Sequence, residues 1–321
     1  MTTIRIAAID IGTETTRLLI ADVTTNGEHP ANAPIITEVH RESHITQLGE
    51  GLSDTGVLSA TGLQATLDRL EMFSLRLKVM EVRKSRCVAT SAVRDASNAK
   101  DLIDGAARFS IHMEVIEGTE EAQLAFAGAT YGSDAGSESE QVTLVVDPGG
   151  GSTEFVLGTV CSGGAPEIQK AISLQVGSRR MTDLFLKSDP PTAEEIKACK
   201  AHIKEAFAEP LAEYKGKFDQ LVAVAGTATT LAAILGKVAP FDPKRIQGYK
   251  VSSTDISDLL RQFTSANLEQ RQQIIGLEPA RASVIIAGTL ILEVALETLG
   301  KDSYKASDRD LLYGIILSAV S

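Results

Sequence analysis

Apolar positions along the chain form two kinds of pattern, helical spacing and short continuous runs, which together predict an α/β protein. Helices are predicted at residues 61–83, 119–131 and 192–214. Thr192 followed by Glu195 is typical of a capping box at the start of the third helix. Strands are predicted at residues 87–90, 110–117 and 221–225. The residues between the first of these strands and the next helix, 91–98, are predicted as a loop.

One pattern occurs twice. Residues 4–21 and 142–158 both read as an apolar strand, an aspartate, a turn containing glycine, a hydroxyl pair and a second apolar strand. Aligned on the aspartates, the equivalent pairs are Asp10 with Asp147, Gly12 with Gly149, Thr15 with Ser152, and Thr16 with Thr153. Each copy predicts a β-hairpin whose tip offers N–H groups and hydroxyls to an anion. Two copies separated by the length of a domain predict two related domains that grip a phosphate chain between their loops.

A glycine and hydroxyls also separate a strand from a helix in the second half of the chain. Gly226 and Thr227 follow the apolar run 221–225 and open an apolar helical segment. Because the first turn of a helix has N–H groups without helical acceptors, this junction is typical of a further phosphate contact.

Length and composition narrow the class of protein. A chain of 321 residues allows two domains, and the net charge of −11 argues against general nucleic-acid binding. Three scattered cysteines indicate reduced thiols in a cytosolic protein, and the N-terminal residues do not read as a signal peptide. In the most apolar segment, residues 282–300, Glu293 and Glu297 would share one helix face. That favours a buried helix with one polar edge over a membrane span.

Six segments, in a fixed order, resemble the exopolyphosphatase and guanosine pentaphosphate phosphohydrolase (Ppx/GppA) family of the actin-like ATPase superfamily. They are residues 7–23, 89–98, 115–126, 145–155, 224–233 and 307–316. The resemblance implies an α/β fold of two actin-like, ribonuclease H-like domains with the active site in the cleft between them. The first domain is expected at residues 1–124, with a C-terminal helix near 308–321 packing back on it, and the second at 125–307.

The activity that the resemblance implies is hydrolysis of the terminal phosphate of inorganic polyphosphate. The alternative substrate is guanosine pentaphosphate (pppGpp), which would lose its 5′ γ-phosphate. A second alternative, from another class, is a weakly catalytic regulator that binds polyphosphate or nucleotide. The resemblance also implies a magnesium requirement, with Mn²⁺ as a substitute ion, a homodimer, a cytoplasmic location, and neither a nucleic-acid nor a membrane partner.

The catalytic roles implied by the resemblance fall on Glu121, which would activate the attacking water, and on Arg94, which would contact the substrate. From the residues alone, Glu120 and Glu121 equally suit the electrostatics of a helix N-terminus. Arg94 equally suits a surface ion pair with Asp95 or another neighbour. Both readings stay open at the level of sequence.

Carboxylates and loop residues complete the predicted site. Asp147 and Glu154 are assigned to magnesium, with Asp10 supporting the ion through water, although Asp147 could instead cap its own turn. The residues assigned to phosphate contacts are Gly12, Thr13, Glu14, Thr15, Gly149, Gly150, Gly151, Ser152, Gly226 and Thr227.

Other polar residues are not assigned to a site. His40 and His44 lie in a stretch that looks extended, so they need not share a face and do not predict a metal site. The basic residues predicted to be solvated are Arg179, Arg180, Lys197, Lys200 and Lys204. The alternative for either group is a secondary track for polyphosphate.

Four positions differ from the usual family pattern. Glu14 stands where asparagine is typical, and Pro148 replaces an apolar residue that has an N–H. Leu312 and Tyr313 stand where arginine and glutamate are common. A carboxylate near a polyanion repels it unless a cation lies between them, so Glu14 joins the metal shell, points away or weakens activity.

Overall fold

The computed structural model of the protein describes residues 1–25, 34–132, 141–160 and 166–320. The strands are β1 (Thr2–Ile11), β2 (Thr15–Thr25), β3 (Ile35–Ile45), β4 (Lys84–Ala89), β5 (Met113–Val115), β6 (Gln141–Pro148), β7 (Thr153–Val160), β8 (Glu167–Leu174), β9 (Gln220–Ala223), β10 (Lys250–Ser252) and β11 (Ser303–Ala306). The helices are α1 (Leu52–Thr55), α2 (Ala60–Val79), α3 (Ser91–Asp95), α4 (Ala99–Ala107), α5 (Gly118–Thr130), α6 (Ser178–Phe185), α7 (Ala193–Ala212), α8 (Ala225–Leu235), α9 (Pro243–Ile246), α10 (Ser253–Ser265), α11 (Leu268–Arg271), α12 (Ile285–Leu299) and α13 (Leu311–Val320).

The chain forms two compact units. Unit 1 consists of residues 1–141, 158–169 and 309–321, and unit 2 of residues 142–157 and 170–308. The C-terminal helix α13 therefore belongs to unit 1. The domain boundary expected after residue 124 stays a prediction.

The two sheets have the same strand order. In the first sheet the order is β3-β2-β1-β4-β5, with β1 antiparallel to β2 and parallel to β4. In the second sheet, read from β8, the order is β8-β7-β6-β9-β11, and β6 is likewise parallel to β9. An additional strand, β10, pairs antiparallel with β11 at the edge. The duplication predicted from the two loops thus extends to the order of the strands.

Local signals in the sequence account for several elements. The capping box is confirmed, because Thr192 Oγ accepts a hydrogen bond from the Glu195 N–H at 3.2 Å and Glu195 Oε2 accepts one from the Thr192 N–H at 2.7 Å. The loop predicted at 91–98 is wrong over α3. The N–H groups of Val93 and Arg94 both donate to the carbonyl of Thr90, so the chain forms a short helix directly after β4.

The strand predicted at 110–117 is too long, since only β5 is extended and paired. Ser110 has φ +61°, a left-handed conformation, so the strand cannot begin there. The apolar segment 282–300 contains α12, as predicted, and the Glu293 and Glu297 carboxylates on its polar edge bind Lys200 at 2.6 and 2.7 Å. Lys200 was expected to be solvated, and this ion pairing corrects that prediction.

Among the described residues, none of the helices is long and apolar enough to span a membrane.

In unit 1, α5 and α13 pack at backbone distance. A Cβ placed on Gly128 would lie 1.8 Å from the carbonyl oxygen of Asp310, and one on Gly314 would lie 1.9 Å from that of Leu124. No side chain larger than hydrogen fits at either position. This contact fixes α5, the helix that carries Glu121.

Candidate active site

The first glycine loop joins β1 to β2. The Gly12 N–H donates to the Thr15 carbonyl at 2.9 Å and closes the turn. The carbonyls of Thr13 and Glu14 accept hydrogen bonds from backbone N–H groups of residues 46–49 at 2.9–3.1 Å. The Thr13 N–H donates to no acceptor in the part of the chain that the structure describes. The carbonyls of Thr13 and Glu14 therefore face the protein, and the loop keeps an N–H donor for a ligand.

The second glycine loop joins β6 to β7 and repeats this geometry. The Gly149 N–H donates to the Ser152 carbonyl at 3.0 Å, the same bond as between Gly12 and Thr15. A Cβ on Gly149 would lie 3.1 Å from the Ser152 oxygen, and one on Gly12 would lie 3.3 Å from the Thr15 oxygen. The equivalence of the two loops, predicted by alignment on the aspartates, is confirmed by this shared hydrogen bond.

The carbonyls of the second loop are bound by the start of α6. Gly149 O accepts from the Ser178 N–H at 2.9 Å, and Gly150 O accepts from the N–H groups of residues 179 and 180 at 2.9 and 3.1 Å. The N–H groups of Gly150 and Gly151 donate to no acceptor among the described residues. Consecutive unpaired N–H groups form a concave donor site for anions.

Arg179 and Arg180 correct a prediction, because both were expected to be solvated. Arg179 is only 4% exposed and lies 3.5 Å from Asp183, while Arg180 Nε donates to the Gly151 carbonyl at 2.8 Å. Their positions follow from α6, whose first turn lies against the glycine loop. The sequence signal that could have located them is Gly177, two residues before Arg179.

A third group of donors lies at the start of α8 in unit 2. Ala225 has φ +62°, an uncommon conformation for a residue with a side chain. A Cβ on Gly226 would lie 1.9 Å from Arg281 Nη1, so the guanidinium rests on the first turn of this helix. Thr227 is buried there, beside Gly288 of α12. The helix N-terminus and Arg281, which the sequence analysis did not single out, together make this end of α8 electropositive.

Glu121 and Arg94 are brought together in unit 1. Glu121 lies in the first turn of α5 and is 8% exposed, with Oε2 3.3 Å from Arg94 Nη1. Arg94 Nη1 also donates to the carbonyl of Ile116 at 2.6 Å, and Nη2 is buried without a hydrogen-bond partner. The side chain that pairs with Arg94 is therefore the buried Glu121 carboxylate. A buried guanidinium nitrogen without an acceptor suits an anionic ligand.

Glu120 and Glu121 are adjacent but differ in environment. The Glu120 carboxylate binds Arg86 at 2.6 Å and is 43% exposed. The Glu121 carboxylate is buried. Both glutamates interact favourably with the helix N-terminus, so this interaction does not explain why the Glu121 carboxylate alone is buried.

The three carboxylates assigned to magnesium are all almost completely buried. Asp10 Oδ2 accepts from Arg17 Nε at 2.8 Å, whereas Asp10 Oδ1 is buried without a partner. Burial raises the pKa of Asp10, against the opposing effect of Arg17. Glu154 Oε1 accepts from the Ser173 hydroxyl at 2.7 Å, and Asp147 lies near the end of β6.

The chemistry of these carboxylates can be compared with the usual ligands of magnesium, one unit at a time. Within the described residues, no group of three or more His, Cys, Asp or Glu side chains is placed to enclose a metal. Magnesium commonly uses one or two carboxylates, and waters and substrate phosphates supply its remaining ligands. Asp10 Oδ1, which has no hydrogen-bond partner, is a carboxylate oxygen, the kind of ligand that magnesium takes.

Two histidines and two cysteines that were not assigned to a site can be placed in the fold. His40 and His44 lie on an extended strand, β3, as predicted. They nevertheless share a face, because alternate residues of a strand point the same way, and both rings bind Glu42, at 3.0 and 2.9 Å. Cys199 is buried, which raises its thiol pKa to about 12, and Cys87 is buried as well. Cys161 lies outside the described residues.

The positions that differ from the family pattern are all accommodated. Pro148 ends β6 after an extended Asp147, as expected for a residue before proline. Glu14 is buried, with its carbonyl bound by residues 46–47. Leu312 is fully buried in α13, and the Tyr313 hydroxyl donates to Glu38 at 2.8 Å.

Comparison with known proteins agrees with this geometry. The solved structure of the Aquifex aeolicus Ppx/GppA protein superposes with a TM-score of 0.77 at 31% identity, covering 99% of this chain and 98% of that chain. The duplicated sheet, with a glycine loop in each copy, is the two-domain α/β fold of the actin-like ATPase superfamily. Residues 23–321 match the Ppx/GppA phosphatase family, and the chain belongs to that family.

Two curated relatives add detail. Exopolyphosphatase 2 of Mycobacterium tuberculosis is 34% identical over 98% of this chain and 98% of its own length. The guanosine-5'-triphosphate,3'-diphosphate pyrophosphatase of Aliivibrio fischeri is 29% identical over 97% of this chain and 59% of its own length. The protein is a hydrolase that acts on phosphoanhydride bonds.

Proposed function

We propose that this protein is an exopolyphosphatase that removes the terminal phosphate of inorganic polyphosphate. The observation that carries the proposal is the pair of equivalent glycine loops, whose carbonyls are bound by the protein while the N–H groups of Thr13, Gly150 and Gly151 remain available. Such loops suit a linear polyanion, because their unpaired N–H groups can donate hydrogen bonds to phosphate oxygens. The likeness to exopolyphosphatase 2 over the full chain supports the same substrate.

Hydrolysis requires an oriented water and neutralisation of charge on the phosphoryl oxygens. Glu121 accepts the proton of the attacking water, since its carboxylate is nearly buried and is held by Arg94. Arg94 keeps Nη2 free of protein partners for an oxygen of the phosphoryl group. Asp147 and Glu154 of unit 2 and Asp10 of unit 1 are each of the ligand type that magnesium takes, and magnesium, when bound, would supply further neutralisation of the phosphate oxygens.

The alternative substrate is pppGpp, favoured by the likeness to the guanosine-5'-triphosphate,3'-diphosphate pyrophosphatase of Aliivibrio fischeri. A weakly catalytic regulator is the alternative that the buried carboxylate of Glu14 would favour. The homodimer and the cytoplasmic location stay predictions from the family resemblance.

Release of inorganic phosphate separates these functions. We expect release from polyphosphates of defined length in the presence of Mg²⁺, loss of release with a chelator, and slower release from pppGpp. Faster turnover of pppGpp at equal concentration would assign the alternative substrate. Tight binding of either compound without release would assign the regulator.

Replacing Asp147 by asparagine should raise the magnesium concentration required for half-maximal rate. The substitution keeps the shape of the side chain and removes one negative charge from the proposed ion site. A magnesium titration of the rate measures the effect, with Asp219→Asn, an aspartate elsewhere in unit 2, as the control. Superimposable titrations of the wild type and Asp147→Asn would remove Asp147 from the ion site.

The protein should favour short or intermediate polyphosphates. Each cationic contact adds affinity through counterion release, and a chain with net charge −11 offers few of them. The salt dependence of binding should therefore level off after a few phosphates. Rates and salt slopes on a ladder of chain lengths, followed on a gel, measure this. Much tighter binding of long chains, degraded without intermediates, would contradict it.

A further inference from the structure

Arg17 lies between two buried aspartates in unit 1. Its Nε and Nη2 both donate to one oxygen of Asp10, Oδ2, at 2.8 and 2.5 Å. Its Nη1 donates to Asp310 Oδ2. The second oxygen of Asp10, Oδ1, is buried and has no hydrogen-bond partner. The guanidinium thus binds one oxygen of the Asp10 carboxylate and leaves the other oxygen without a hydrogen bond.

Asp310 is fixed from several sides. Its Oδ1 accepts the Leu312 N–H at 3.0 Å at the start of α13, and Arg41 Nη2 lies 3.9 Å from its Oδ2. Its carbonyl lies against Gly128 of α5, in the close contact between the two helices. Asp310 is 4% exposed. A carboxylate held in this way is a rigid anchor for Arg17.

An arginine facing a single carboxylate commonly binds both of its oxygens, with two parallel hydrogen bonds. Arg17 does not bind Asp10 in that way. The Nη1 end is drawn to Asp310, and the remaining donors converge on one oxygen of Asp10. Without the charge on Asp310, the guanidinium could turn to bind both oxygens of Asp10 and cover Oδ1.

We propose that Asp310 is a positioning residue that holds Arg17 on one oxygen of Asp10 and so keeps the other oxygen open to the cation of the site or to a water bound to it. The proposal rests on the proposed function only for the use of that cation in hydrolysis. It extends the site to the start of α13, where the sequence differs from the family pattern at residues 312 and 313.

The test is Asp310→Asn, in which the charge is removed while the side chain can still cap α13, because asparagine is as good an N-cap as aspartate. Magnesium binding is measured by calorimetry in a Glu121→Gln background, so that no turnover occurs. We expect the dissociation constant for Mg²⁺ to rise by about tenfold, the effect of a small change in ligand orientation. In the Asp310→Asn single variant, which keeps Glu121, the KM for polyphosphate at saturating Mg²⁺ should stay near the wild-type value.

The matched control is Asp22→Asn, which removes an aspartate paired with Arg5 at 2.8 Å on the same sheet. It should leave Mg²⁺ binding unchanged. Arg17→Lys replaces the planar guanidinium, which places two nitrogens on Asp10 and the third on Asp310, by a single nitrogen that cannot reproduce this arrangement. It should weaken Mg²⁺ binding as Asp310→Asn does, and it serves if the latter does not fold. A crystal structure of Asp310→Asn should place Arg17 on both oxygens of Asp10.

Unchanged Mg²⁺ affinity in both variants would overturn the proposal, as would absence of Mg²⁺ binding in the Glu121→Gln parent. Failure of the proposed function looks different. If the wild type releases no phosphate from polyphosphate, but Mg²⁺ binds and weakens in Asp310→Asn, the positioning role stands and the substrate assignment fails.

Discussion

Replacing Glu121 by glutamine should reduce phosphate release by about 10²–10⁴-fold, the usual contribution of a general base. Glutamine keeps the length and hydrogen-bonding shape of the side chain, so α5 and the contact with Arg94 should persist. Binding of polyphosphate should change little, because the phosphate contacts are assigned to other residues. Single-turnover phosphate release and equilibrium binding of a short polyphosphate measure the two quantities separately.

The chain offers a matched control for this substitution. Glu120 precedes Glu121 on the same helix turn, but its exposed carboxylate binds Arg86. Glu120→Gln removes the same charge from the helix N-terminus, so any loss of dipole stabilisation is shared by both variants. We expect near wild-type release from Glu120→Gln. Equal losses in the two variants would mean that Glu121 acts through the helix and is not the base.

Sequence alone was sufficient where the physical cause is local. The glycine loops could be aligned because a tight turn after a strand needs the same residues in both copies, and Gly12 and Gly149 do make equivalent hydrogen bonds. The capping box at Thr192 is likewise contained in four residues. Hydrogen bonds between residues this close in sequence can be predicted without knowledge of the tertiary structure.

Sequence was insufficient where a charge is buried by a distant segment. Arg179 was expected to be solvated, yet it is buried, and its Nη2 donates to the Ser283 hydroxyl at 3.4 Å. Arg281, which the sequence analysis did not single out, lies on the first turn of α8. The bridge from Arg17 to Asp310 joins residues 293 positions apart. Hydrophobic spacing carries no information about such pairs, because long polar side chains are usually exposed.

Gly177→Ala should strongly reduce turnover, because it would displace the second glycine loop. A Cβ at this position would lie 2.4 Å from the Gly150 oxygen and 2.4 Å from the Gly151 carbonyl carbon, both of them backbone atoms. Overpacking of this kind costs about 1–3 kcal/mol of unfolding free energy. A displacement of about 1 Å in a substrate-positioning group can cost about 10²-fold in rate. Loss of the hydrogen bonds from the start of α6 would also free the loop carbonyls to face the polyanion.

The control for Gly177→Ala is Gly236→Ala, at the end of α8. Gly236 has φ −78°, which alanine adopts without strain, and the closest side-chain atom to its Cβ would be a methyl carbon of Val238 at 3.1 Å. We expect wild-type turnover from that variant. Thermal unfolding and the rate of phosphate release are measured on both. If Gly177→Ala lowers the melting temperature but keeps the wild-type rate in the folded protein, the loop tolerates the displacement and its N–H groups do not position the phosphates.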